Sequence, residues 1–230
     1  MKIAGIDPSI RSSGKVIMDL HDDSFDIVGI EFYGYNKVKK LACDVDNIHI
    51  GHLGTDYDKQ SMMERMRRSF IQLDRGMEDV KYVAFEDYAY SKAKTSGSNS
   101  IFQIGEFCGG ARYHFYMQGK GIITYGIPQI KKFATGDGNA EKVGMCESFR
   151  EFYPNLYPKY FDSFEKQYES PHADLCDAFW MCEILRNHLK YDILGPDSLP
   201  EETRHLIESK GHGKDTRALI DYDMSIMKQK

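Results

Sequence analysis

"KIAGIDPSIRSSGKVIMDLHDDSFDIVGIEFY", residues 2 to 33, holds three apolar runs parted by short polar turns. Runs of this length with turn residues between them predict a three-stranded antiparallel meander, and the first run ends in a carboxylate, Asp7. Further on, Met63, Met66, Phe70, Leu73 and Met77 recur at helical spacing between Asp58 and Met77, which predicts an amphipathic helix. "VKYVAFED" (80–87) then reads as a strand ending in Glu86, and "YSKAKTSGSNS" (90–100) as a polar surface loop. Ile101, Ile104, Cys108, Ala111 and Phe115 mark a second helix over 100–117, followed by a strand at "GIITYGI" (121–127). The Gly-rich turn "TGDGN" (135–139) leads into a helix from Ala140 to about Tyr153, with Asn139 as its expected N-cap. A last, half-buried core helix is expected from about Ala173 to Leu189. This order predicts an α/β fold: a mixed five-stranded sheet with helices on both faces. Residues 36–57 resist assignment. Residues 1–190 are expected to form the main domain, with 191–230 a polar, helical or partly disordered C-terminal extension.

Bulk composition narrows the classes of function. A chain of 230 residues with 41% hydrophobic residues can bury one substantial core. No apolar run approaches the roughly 20 residues of a membrane span, and the N-terminus lacks the zones of a signal peptide, so a soluble, cytoplasmic protein is expected. The 5 cysteines never occur as CxxC, which argues against a disulfide framework or a structural zinc site. A formal net charge of −5 gives no overall pull toward phosphate, so any nucleic-acid contact must come from local basic patches.

Against this background the carboxylates stand out. Asp7 and Glu86 close two strands, and Asp174 and Asp177 open the last helix in "HADLCDAFWM" (172–181). Strand ends and helix starts of an open α/β sheet converge on one rim, and residues three apart on a helix share a face. Carboxylates crowded there repel one another unless a cation compensates them, which makes the set reasonable as a hard-metal site. Taken singly, each has an ordinary explanation: Asp caps helix starts, and an Asp before Pro opens a turn. The combination is what points to chemistry.

At this point "GIDPSIRSSG" (5–14), "VAFEDYAY" (83–90), "SIFQIGEFCGG" (100–110), "GIPQIKKFATGDGNAEK" (126–142) and "HADLCDAFWM" resemble the successive motifs of the RuvC-type Holliday-junction resolvases, members of the ribonuclease-H-like superfamily. The resemblance spans about residues 3–187. It implies that Asp7, Glu86, Asp174 and Asp177 bind two Mg2+ or Mn2+ ions and that a homodimer places paired symmetric nicks in four-way DNA junctions, leaving 5'-phosphates. It also implies DNA-phosphate contacts from Lys131 or Lys132 and from Lys142, and an aromatic wedge near Tyr88 and Tyr90. Lys92 and Lys94 are further candidates for the phosphate backbone, where each neutralised phosphate releases counterions; a solvated loop is the alternative. The chain departs from the family pattern at Ser9, where Gly is usual, in a segment between Lys132 and Gly136 one residue shorter, and in extra residues at 36–57 and after 190. Those additions suggest a divergent, phage- or virus-encoded relative, which would act in the host cytoplasm.

Other features admit two readings. Arg65, Arg67 and Arg68 form either a second basic patch or a solvated helix face. His172 either assists a metal or a proton transfer or merely begins a helix. His49 and His52 lack companions at zinc spacing, and Cys176 and Cys182 read as core. The same four carboxylates would also serve a flap, branched-DNA or terminase-like nuclease. "GIDPSIRSSGKVIM" also resembles the first phosphate loop of the actin-like ATPases, a nucleotide-binding class on a related fold, but the second loop and the longer two-lobed chain are not seen.

Overall fold

The structure is a computed structural model, and it describes residues 1–21, 24–35, 43–45, 48–87, 98–162, 164 and 166–208. The meander forms as expected: β1 (Lys2–Pro8), β2 (Ser12–Leu20) and β3 (Phe25–Gly34) pair antiparallel in sequence order. The β1–β2 turn is closed at Ser9, whose N–H donates to Ser13 Oγ and whose carbonyl accepts from the same hydroxyl, both at 3.3 Å. Two strands follow in the segment that resisted assignment. They are β4 (Cys43–Val45) and β5 (Ile48–His52), of which β5 lies parallel to β3.

Helix α1 (Met62–Leu73) is shorter than its apolar spacing suggested. Ser61 caps it by accepting the Glu64 N–H, and Gly76 at φ +66 turns the chain toward β6 (Val80–Glu86). Met77 therefore lies beyond the helix, although it remains buried, and Met63 faces outward. Helix α2 (Ser98–Met117) leads to β7 (Gly121–Tyr125). Within α2 the buried face carries Phe107, Cys108, Ala111 and Phe115, whereas Ile104 is exposed, contrary to its expected place.

Among the described residues the sheet has seven strands in the order β4-β5-β3-β2-β1-β6-β7, two more than expected. The five expected strands are all present, and β4 and β5 extend the edge beyond β3. Such short, weakly alternating segments carry little period-2 signal, so they are strands only through pairing, β5 with β3 and β4 with β5.

After β7 comes a helix that the sequence reading did not assign, α3 (Ile127–Thr135), which starts with Pro128 in its first turn and ends at Gly136 with φ +81. Proline early and glycine at the C-terminal end are the expected asymmetry of a helix. Helix α4 (Lys142–Phe152) begins later than Asn139 would have it: Glu141 stands at the N-cap without a side-chain bond. Asn139 instead donates its N–H to Asp137 Oδ1 at 2.9 Å within the Gly-rich turn. The short α5 (Leu156–Tyr160), the long α6 (His172–Leu194) and α7 (Glu201–Glu208) complete the described chain. Gln129 on α3 donates to the Leu206 carbonyl at 2.6 Å and so ties α7 to the body. No described helix is long and apolar enough to cross a membrane.

Strand alternation sorts the core onto two faces. Ile3, Val16, Met18, Tyr82 and Ala84 pack with α4 and α6, while Ala4, Ile6, Ile17, Val83 and Phe85 pack with residues of α1 and α2. Both faces are covered, which is why β1 and β6 read as nearly continuous apolar runs. On the second face, Lys15 is fully buried; it pairs with Glu31 Oε2 at 2.9 Å and donates to the carbonyls of Leu73, at 2.9 Å, and Arg75, closing the C-terminal end of α1.

Helix α6 is more deeply buried than expected. From His172 to Leu185 every side chain except that of Asp177 is buried, because β1 and β2 lie on one side and α3 and α4 on the other. Glycine permits the approach. A Cβ on Gly5 would stand 2.2 Å from the Ala178 carbonyl oxygen, and one on Gly14 2.7 Å from that of Asp174. Gly5→Ala is therefore expected to destabilise the fold by about 3 kcal/mol or more, since backbone rather than a flexible side chain must give way. A urea melt would measure it, and an unchanged midpoint would contradict this packing.

Candidate active site

Alternation along the strands decides where the acids point. Asp7 shares its face of β1 with Ile3 and Gly5, and Glu86 shares its face of β6 with Tyr82 and Ala84, so both look toward α6. β1 and β6 run parallel with Ile6 opposite Phe85, which brings Asp7 and Glu86 to the same end of neighbouring strands. Asp7 also lies opposite Gly14, the residue that lets the first turn of α6 settle onto the sheet. Asp174 and Asp177 come down on this rim from α6. Four expected site residues, contributed by two strands and one helix, are thereby gathered.

Electrostatics register the crowding. Burial, reinforced by the charges of Asp177, Glu86 and Asp174 and opposed by Lys142, pushes the Asp7 carboxyl well above the usual range. Glu86 is pushed up to about 7 by burial, with Lys131, Lys142 and Arg112 pulling the other way and Asp87 adding to the rise. Asp177 is likewise pushed up to about 7, by burial, with Lys142 opposing and Glu86 and Asp174 contributing. Groups held like this are compensated poorly by the protein itself.

The compensation present comes chiefly from Lys142. Its Nζ lies 2.7 Å from Asp174 Oδ1 and 3.9 Å from Asp177 Oδ2. Burial works against its charge, but the bond to Asp174 and the nearby carboxylates outweigh this and raise its pKa. Ser170 Oγ donates to the other oxygen of Asp174 at 2.7 Å. Lys142 was expected as a phosphate contact, and its pairing with Asp174 was not foreseen. Residue 142 is remote from 174 in sequence, and only the packing of α4 against α6 joins them. Arg112 is a second unforeseen neighbour: its Nη2 donates to the Glu86 carbonyl at 2.6 Å and lies 3.6 Å from Asp87, pinning the end of β6.

Of the expected basic residues, Lys131 is half-buried and close enough to act on Glu86, while Lys132 is exposed on α3. Tyr88, Tyr90, Lys92 and Lys94 lie outside the described residues. Two of the three α1 arginines are paired with acids. Arg67 and Arg68 bond Glu64 at 2.7 and 2.9 Å, and Arg68 also bonds Asp56 at 2.8 Å.

All-oxygen donors of like charge, with a lysine ammonium set against two of them, suit a hard divalent cation. Asp7, Glu86, Asp174 and Asp177 are the residues that would hold it.

The sheet order, the parallel β1–β6 pair and the long helix across them define a ribonuclease-H-like α/β fold. Among solved structures this fold is that of RuvC from Thermus thermophilus, matched at TM-score 0.54 and 16% identity over 84% of this chain and 96% of that one. The T. thermophilus RuvC in complex with a Holliday junction substrate matches at TM-score 0.56 and 17% identity, with the same coverage. The yeast mitochondrial Holliday junction resolvase Ydc2 superposes less closely, at TM-score 0.48 and 12% identity over 78% of this chain and 75% of that one. No protein-family model and no curated protein sequence matches the chain.

Proposed function

We propose that this chain is a divalent-metal-dependent endonuclease that cuts four-way DNA junctions by paired nicks as a homodimer. The observation that carries the reading is the convergence of Asp7, Glu86, Asp174 and Asp177 at one rim, where the neighbouring carboxylates raise the proton affinity of Asp7 and of Asp177 and Lys142 pairs with Asp174 and Asp177. The likeness to RuvC, one structure of which holds a Holliday junction, supports the choice of substrate.

Bound among these carboxylates, Mg2+ or Mn2+ ions would supply charge compensation and Lewis-acid activation for phosphodiester hydrolysis, leaving 5'-phosphates. The chain's own groups do the rest. Arg112 and the sheet hold Glu86 in place, and Ser170 orients Asp174. Lys142, which pairs with Asp174 and Asp177 at the rim, is the basic group on this edge that would meet a DNA phosphate. Lys131 and Lys132, on the neighbouring α3, extend that basic edge.

The direct test is cleavage of a labelled synthetic four-way junction beside matched flap and linear duplexes, with Mg2+, Mn2+ or EDTA. We expect symmetric nicks on the junction, absent with EDTA, and little cutting of linear duplex. Faster cutting of flaps would reassign the substrate to branched DNA in general, and the absence of metal-dependent cutting on every substrate would overturn the nuclease reading.

A further inference from the structure

Beneath the acidic rim lies a second cluster of a different chemical kind. Cys146 on α4 and His172 and Cys176 on α6 are all fully buried, and their ligating atoms lie within 4.8 Å of one another. His172 and Cys176 are four apart on one helix and so share a face. Cys146 reaches them from the facing helix, with its Sγ 3.6 Å from His172 Nδ1.

The surroundings orient the imidazole. Tyr157 Oη donates to Gln167 Oε1 at 2.8 Å and lies 2.7 Å from His172 Nε2, so Nε2 carries the proton and donates to the phenol oxygen. That leaves Nδ1 unprotonated, with its lone pair on the side of Cys146. An outer partner that fixes the tautomer in this way is the usual support of a metal-ligating histidine. The Tyr168 N–H also donates to Nδ1, at 3.0 Å, and a metal would displace this bond together with the Cys146 contact. Aromatic rings of Tyr157, Phe161, Phe164 and Tyr168 enclose the imidazole on its other sides.

We propose that Cys146, His172 and Cys176 form a buried binding site for a thiophilic d10 cation of the zinc class, made of donors distinct from the carboxylates of the rim. Two sulfurs and one imidazole nitrogen suit zinc, which accepts three protein donors of this kind with a fourth, non-protein donor, and they suit Mg2+ poorly. Complete burial means the ion is taken up as the chain folds, by coordination that ties α4, the helix of Lys142, to α6, the helix of Asp174 and Asp177. The cysteine spacing in the sequence argued against structural zinc; here the ligands are assembled by helix packing rather than by a CxxC turn.

The untagged full-length protein, gel-filtered without chelator, is assayed for zinc by mass spectrometry. It is then unfolded with EDTA and reductant, desalted and refolded with Co2+. We expect near-stoichiometric zinc in the first arm and a thiolate-to-cobalt charge-transfer band in the second. Cys176→Ser should lose the band and Asp174→Asn should keep it, because carboxylates produce no such band. Lack of both zinc and band in the wild-type protein, zinc without the band, or a band unchanged in Cys176→Ser would each overturn the site. The wild-type arms decide even if the cysteine variant does not fold, and failure of the nuclease assay leaves this result untouched.

Discussion

Asp7→Asn is expected to lower junction cleavage by about 10³-fold or more while making the metal-free protein more stable. Both effects have one origin. Asp7 sits between Asp177, Glu86 and Asp174, and together with burial their charges push its proton affinity well up. Asparagine keeps the shape but removes a charge that the folded protein accommodates poorly, a gain of about 1 to 2 kcal/mol, or roughly 3 to 6 °C in melting temperature for a chain of this size. The same change removes a hard oxygen donor from the proposed cation site. Losing about 4 kcal/mol of charge stabilisation in the transition state corresponds to roughly 10³-fold in rate. Melting in EDTA and single-turnover cleavage in Mg2+ would read the two effects separately. Retained cleavage would remove Asp7 from the active site, and a less stable metal-free variant would show that the carboxylate is well compensated in the fold.

The second large effect is a reversal of the pH dependence of stability by metal. Glu86 and Asp177 have ordinary carboxylate values when unfolded and are pushed up to about 7 in the folded chain, mainly by burial. A group whose pKa is raised on folding contributes stability that is complete below its unfolded value and is lost as pH rises through the folded one. The metal-free protein should thus lose stability between about pH 5 and pH 8, and because the two groups interact they should titrate as a coupled set rather than singly. An overall loss of about 2 kcal/mol, discounted for that coupling, corresponds to roughly 4 to 8 °C. Mn2+ competes with protons for the same oxygens, so its stabilisation should be small at pH 6 and large at pH 8. Thermal melts across this range with EDTA or Mn2+ would test it. Metal-free stability that rises with pH, or Mn2+ stabilisation independent of pH, would contradict the electrostatic picture of the rim.

Much of the frame was legible in the residues. The meander appeared in the alternation of short apolar runs and turns, and β6 and β7 in short apolar runs. What escaped was whatever lacked a local signal. β5 exists through pairing with the edge of β3 and β4 through pairing with β5, α3 was too short to show a helical period around Pro128, and Asn139 serves a turn instead of the helix after it. Ile104 and Met63 matched their helical patterns but face outward, because spacing tells which residues share a face and not whether anything covers it.

For the site, the sequence by itself determined the identity of the acids and their ends of the elements: Asp7 and Glu86 closing strands, Asp174 and Asp177 three apart at a helix start. Those are properties of short segments, set by period and punctuation. Only the tertiary structure decided that Lys142 pairs with Asp174, that Arg112 braces Glu86, and that Cys146 meets His172 and Cys176. Each of these joins residues on different elements, and the distance between them depends on how closely α4 and α2 pack beside α6 and the sheet. Backbone contact at Gly5 and Gly14 sets the depth of α6, and no periodicity in the chain records it.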